Sequence, residues 1–142
     1  MPLDIDPAII GEEFDRATYG PITAEELIAY ARALGETRSE YTEPGPGLVG
    51  HPTYCVRYRG TKWFPENLPK TIDVRRGMDA GKDIQFGVPL RPGDTVDLRC
   101  TLHEMYEKTG RTGSMYFTVL RFTMTNQRGE TVAVVDNRFM HR

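Results

Sequence analysis

Cysteine and histidine are scarce in this chain, and that scarcity excludes several chemistries. The 142 residues include two cysteines, Cys55 and Cys100. They form no CxxC pair and no disulfide framework, so a reducing, cytoplasmic setting is expected. The three histidines, His51, His103 and His141, are far apart and belong to no HExxH or Cys/His cluster, so neither a metal site nor a cofactor is expected. Long apolar runs are missing too. No stretch approaches the ~20 residues of a membrane-spanning helix, and residues 1–10 have neither the basic start nor the apolar core of a secretion signal. Charge of one sign is also lacking. The 18 Lys+Arg against 20 Asp+Glu give a net charge of −2, without the basic excess that marks nucleic-acid binding. No internal repeat or low-complexity tract is present.

What the chain does have fits one domain, residues 1–142, with 39% hydrophobic residues for a single core. Arginine supplies 14 of the 18 cations, which favours bidentate recognition of carboxylates or phosphates. Residues 1–20, broken by Pro2, Pro7, Gly11 and Gly20, read as irregular. Thr23 and Glu26 then form a capping box. Leu27, Tyr30, Ala31 and Leu34 recur at helical spacing, and Gly35 suits the position just past the helix end. Residues 36–52 read as loop. Pro52 fits the first turn of a short helix through residues 53–64, until Gly60, Pro65 and Pro69 end regular structure.

After Lys70 the hydrophobic period becomes two. Ile72 and Val74 alternate, as do Ile84, Phe86 and Val88. Val96, Leu98, Cys100, Leu102 and Tyr106 line a long strand, Tyr116, Leu120, Phe122 and Met124 another, and residues 131–140 a last one. Short turns at 91–94 and 127–130 imply antiparallel pairing with one buried face. Helices first and a strand meander afterwards is an α+β order. The apolar sheet face needs a cover, and the segment from Pro52 is the available one. An antiparallel sheet wrapped around a central helix is the hot-dog arrangement, whose edge strands call for a second chain.

Several motifs fail on context. GPGLVG at 45–50 spells GxGxxG, but no strand precedes it and no βαβ unit surrounds it, so it reads as a surface loop. GMDAGKD at 77–83 is one residue short of a P-loop, and Asp83 stands where Ser or Thr would hold magnesium. Cys55 and His51 would share a helical turn as nucleophile and base, although a lone cysteine in an apolar element is more often core. His103 on a polar strand face and His141 at the terminus both read as solvated.

Five segments taken in order carry a resemblance: ITAEELIAYARALGE at 22–36, DAGKDIQF at 79–86, PLRPGD at 89–94, YEKTGRTG at 106–113 and TNQRGE at 125–130. Together they resemble the MaoC-like acyl dehydratases, in the FAS1-type or N-terminal dehydratase branch of the hot-dog superfamily, over roughly residues 8–140. The resemblance implies hydration of trans-2-enoyl thioesters or dehydration of (R)-3-hydroxyacyl thioesters, with CoA or a carrier protein delivering the acyl group as substrate. Active members carry D-x-N-P-x-H after the first helix. The carboxylate and imidazole hold one water, one taking its proton while the other delivers a proton to the α-carbon. A backbone amide at the start of the central helix stabilises the enolate-like oxygen.

Here the aligned residues are ETRSEY at 36–41, with Glu36 at the aspartate position and Tyr41 at the histidine position. Tyrosine, with an unperturbed pKa near ~10, is a poor proton shuttle at neutral pH. The oxyanion position reads His51-Pro52. Pro52 has no amide hydrogen, which leaves Thr53 as donor. Thr53, Gly81, Arg57 and Arg59 are the candidate substrate-binding residues. The last two belong to the densest basic group, with Lys62, Arg75 and Arg76, which would either receive CoA phosphates or form a solvated face paired with local acids.

Some members of this branch look the same and act as the silent half of a pair, shaping the acyl pocket while a sister chain supplies Asp and His. The leading expectation is therefore a non-catalytic or weakly catalytic subunit of an enoyl-CoA hydratase, with a pocket open to bulky acyl groups such as a steroid side chain. The rivals are a self-sufficient homodimer using Glu36 with Tyr41 or His51, and an acyl-CoA-binding protein without activity. A thioesterase would place a carboxylate on the central helix, and residues 53–64 contain none.

Overall fold

The architecture follows from five antiparallel strands. The computed structural model describes residues 4–142. Strands β1 (Glu13–Tyr19), β2 (Met78–Phe86), β3 (Val96–Gly110), β4 (Gly113–Asn126) and β5 (Thr131–His141) form one sheet in the order β1-β3-β4-β5-β2. The long strands are those with the longest runs of alternation. Val96, Leu98, Cys100 and Leu102 face one way and are at most 1% exposed, as are Leu120 and Met124 on β4. Tight turns join β3 to β4 and β4 to β5, and these two pairings make up the sheet's centre.

Helix α1 (Ala24–Ala33) starts at Thr23, where the threonine side chain accepts from the Glu26 amide and the Glu26 carboxylate accepts from the Thr23 amide. Leu27 and Ala31 bury its inner face. A single turn, α2 (Ser39–Thr42), lies within the expected loop. The cover over the concave sheet face is shorter than the predicted helix. It is a 3-10 helix of six residues, Pro52–Arg57. Pro52 opens it, while the aromatic and β-branched Tyr54, Val56 and Tyr58 are poor helix formers. Tyr54 and Tyr58 pack edge-on at 5.8 Å, and Tyr19 of β1 stacks on Tyr58 at 4.4 Å. Beyond Arg57 an irregular segment, residues 58–77, crosses the rest of the concave face.

Three expectations need correction. Residues 13–19 are a strand, because β3 supplies their hydrogen-bond partners; a bulge between Glu13 and Asp15 breaks the alternation that would have revealed it. The Ile72/Val74 alternation is not a strand. Asp73 accepts from the Arg75 amide at 3.1 Å and starts a 3-10 turn, Val74–Arg76. His141 is not solvated but 0% exposed on the core face of β5, whereas His103 is exposed as expected. No helix among the described residues is long and apolar enough to cross a membrane.

The GPGLVG stretch lies in neither helix nor strand, with Leu48 only 2% exposed. The P-loop look-alike runs into the exposed edge strand β2.

Candidate functional site

Three elements converge where α1 ends. Glu36 follows α1, Tyr41 sits in α2, and His51 caps the 3-10 helix. His51 and Tyr41 face each other with ring centroids 5.2 Å apart. They form part of the wall of a cleft of about 340 Å³, together with Pro52, Cys55, Phe86 and Leu90. Most of that wall is apolar. Phe86, the last residue of edge strand β2, stands at the cleft 55% exposed.

The carboxylate of Glu36 is already engaged. Its Oε1 accepts from the Arg38 Nε at 2.9 Å and its Oε2 from the Arg38 Nη2 at 2.7 Å, a bidentate pair. The Thr37 and Arg38 amides add two more hydrogen bonds to Oε1, both at 3.0 Å. The Arg38 side chain, and then its amide, hold the Glu36 carboxyl down to about 2, against an ordinary value of 4.5. Such a carboxylate is ionised at neutral pH but is a weak proton acceptor. Arg38 stands at the third position of the D-x-N-P-x-H motif, where active members carry asparagine. Its guanidinium also lies 4.9 Å from the centre of the Tyr41 ring.

His51 is engaged as well. Its Nδ1 accepts from the Thr53 amide at 3.3 Å, which assigns the ring proton to Nε2. That nitrogen is 3.7 Å from Glu36 Oε2, beyond hydrogen-bond length. The Thr53 hydroxyl lies 2.9 Å from both His51 Nδ1 and the Tyr30 hydroxyl. A chain of contacts therefore runs from Arg38 through Glu36, His51 and Thr53 to Tyr30. The amide that the sequence offers as oxyanion donor points at an imidazole.

Glu36 and Thr53 approach His51 but are not part of the cleft wall, and the remaining candidates lie elsewhere. Gly81 sits at the β2 bulge, exposed, donating its amide to Asp79 at 2.9 Å. Arg57 packs over Tyr54 at 4.9 Å and Arg59 over Trp63 at 4.3 Å. Lys62 pairs with Glu66 and Arg75 with Asp73. None of these residues lines the cleft, so the basic group does not converge on it. Burial pushes the Cys55 thiol up to about 11, which leaves it un-ionised at neutral pH beside His51. Arg38 and Tyr30 are the site residues that the sequence reading missed. The Glu-x-Arg spacing at 36–38 was the available signal for the first.

Sheet and cover define a hot-dog fold. Residues 8–135 match the family described as "FAS1-like, dehydratase domain region", and the chain belongs to that family. No curated protein matches it by sequence. Among solved structures, it is similar to the C-terminally truncated HadBC (3R-hydroxyacyl-ACP dehydratase) complex of Mycobacterium tuberculosis, at 21% identity and TM-score 0.70 over 93% of this chain and 96% of that one. The ChsH1–ChsH2 complex of the same organism matches at 17% identity and TM-score 0.70, over 91% and 83%. The MaoC-like dehydratase of Rhodospirillum rubrum matches at 19% identity and TM-score 0.65, over 93% and 91%. At these identities the likeness concerns the fold.

Proposed function

We propose that the chain is the non-catalytic half of an acyl-thioester hydratase or dehydratase, completing a double hot dog with a MaoC-like partner that carries the Asp/His pair. The observation that carries this reading is the Arg38 clamp. Both oxygens of the carboxylate at the family's aspartate position are held by one guanidinium, and no histidine follows in the motif. The Thr53 amide points in the same direction, because His51 accepts it where a substrate oxygen would. β2 supports a partner. It is a sheet edge with eight of its nine residues exposed, and it ends at Phe86 beside the cleft. An unpaired edge next to an apolar cleft is a surface that a second chain covers.

The apolar cleft suits an acyl chain, delivered as a CoA or carrier-protein thioester. The test is hydration of a short trans-2-enoyl-CoA, followed by loss of enoyl absorbance. The chain alone is inactive, and adding a MaoC-like chain with Asp and His produces turnover. Robust turnover by the chain alone refutes the proposal.

One observation favours a second reading. Glu36 and His51 lie within 3.7 Å, so a homodimer using this pair is the alternative enzyme. In that case Glu36→Gln abolishes turnover by the isolated chain.

A further inference from the structure

Residues 58–77 cross the concave face like a strap, and they are tied at both ends. At the start, Asp15 of edge strand β1 accepts from the Lys62 amide at 2.7 Å and from the Thr61 hydroxyl at 3.3 Å. At the far end, the strap meets His141. The imidazole is 0% exposed, its Nδ1–H donates to the Asp73 carbonyl at 3.4 Å, and its Nε2 accepts from the buried Thr118 hydroxyl at 3.1 Å. Phe64 of the strap packs edge-on against both His141, at 5.6 Å, and Phe139, at 5.0 Å. Gly77 passes so close that a Cβ there would sit 3.0 Å from His141 Cε1. One side chain of β5 thus touches three places along the strap.

We propose that the neutral imidazole of His141 latches the strap to the sheet, and that protonating His141 releases the strap's C-terminal half. Neutral histidine fits the site with one donor and one acceptor. The imidazolium has two donors, so Thr118 would have to turn and accept, leaving its own hydrogen without the histidine as acceptor. The added charge would also lie in a site without solvent. Burial holds the His141 pKa below its ordinary value, although the Asp73 carbonyl and the Asp73 charge oppose this. That carboxylate is committed to Arg75 at 3.1 Å.

The other charged or titratable groups at this end are Arg76 on the strap, Asp79 on β2 opposite Phe139, Tyr116 across the ladder on β4, and Arg142 beside His141. The exposed Asp79 carboxylate is engaged by the Lys82 ammonium and the Gly81 amide, both at 2.9 Å. Because the folded pKa is depressed, the latch is intact above the unfolded value of ~6.5 and fails as pH falls through the folded one. The Asp15 tie is a carboxylate, held low chiefly by the Lys62 amide, so it persists in that window. Opening therefore begins at the His141 end and uncovers Phe139 and the neighbouring buried Asn137.

Hydrogen exchange of the full chain, read by mass spectrometry at pH ~7.5 and ~5 and corrected for intrinsic rates, tests this. Peptides covering residues 64–77 should lose protection about tenfold at the lower pH, while β3 and β4 keep theirs. His141→Gln, which cannot take a proton, should make strap protection independent of pH. Equal protection at both pH values in the wild type, or an equal loss in His141→Gln, overturns the proposal. Should that variant fail to fold, NMR titration of the wild type decides. The Ile72 methyl resonances must move with the His141 imidazole, and movement with His51 or His103 instead refutes the latch.

Discussion

Replacing Arg38 with alanine should return proton affinity to Glu36. The carboxyl is held at about 2 against an ordinary 4.5, and the largest cause is the Arg38 side chain, whose two nitrogens lie 2.7 and 2.9 Å from the carboxylate oxygens. The full gap corresponds to roughly 300-fold in proton affinity. Arg38→Ala removes the guanidinium but keeps the Thr37 and Arg38 amides, so Glu36 should recover most but not all of that gap. Arg38→Lys should fall between, since an ammonium keeps the charge and loses the two-pronged geometry.

The assay is a carbon NMR titration of the Glu36 carboxyl in the three proteins. Folding is linked with the sign of a depressed acid. The stabilisation from this pair is present above about 4.5 and is lost as pH falls towards about 2. A wild-type Glu36 that titrates near 4.5, or an unchanged midpoint in Arg38→Ala, would show that the clamp does not control this carboxylate.

Other predictions concern the scaffold and the edge. Leu98→Ala empties a position that is 0% exposed and should cost about 3 kcal/mol in denaturant unfolding; a loss below about 1 kcal/mol contradicts the assigned core. Thr23→Ala removes one arm of the capping box and should cost about 1 kcal/mol by the same method, whereas no change would mean the cap adds nothing. Phe86→Asp alters a residue that is 55% exposed, so it should leave the monomer's melting temperature nearly unchanged. It should also abolish co-elution with the partner chain in size-exclusion chromatography, and retained co-elution argues against β2 as the covered edge.

Local signals made part of this fold legible, and long-range ones hid the rest. The α1 boundaries are carried by Thr23, Glu26 and Gly35, all within the helix or two residues of it. β3, β4 and β5 announce themselves because they are long enough to keep runs of alternation on either side of the register shifts at Leu102/Glu104 and Met124/Thr125. β1 did not, since the bulge at Glu13/Asp15 disrupts its period and its pairing partners lie some eighty residues later in β3. His141 looked like a solvated terminal residue because Phe64, Asp73 and Gly77, which enclose it, come from a distant segment.

At the site, the positions of Glu36, Tyr41 and His51 could be read from the motif, and the structure gathers all three. Their state could not. Whether Glu36 is free or clamped depends on where the Arg38 side chain turns. Whether Thr53 can donate depends on the imidazole that caps it. Arg57, Arg59 and Gly81 looked like ligand contacts by composition and order, yet their side chains and backbone lie away from the cleft.

In the proposed complex this chain shapes the site and a partner performs the proton transfers. The most direct test of this division is turnover of a trans-2-enoyl-CoA by the reconstituted two-chain complex carrying Glu36→Gln in this chain. Both kcat and kcat/KM should stay within about twofold of the unmodified complex, while replacing the partner's catalytic aspartate with asparagine abolishes turnover. A loss of about a hundredfold or more from Glu36→Gln alone would place a catalytic carboxylate in this chain and refute the non-catalytic role.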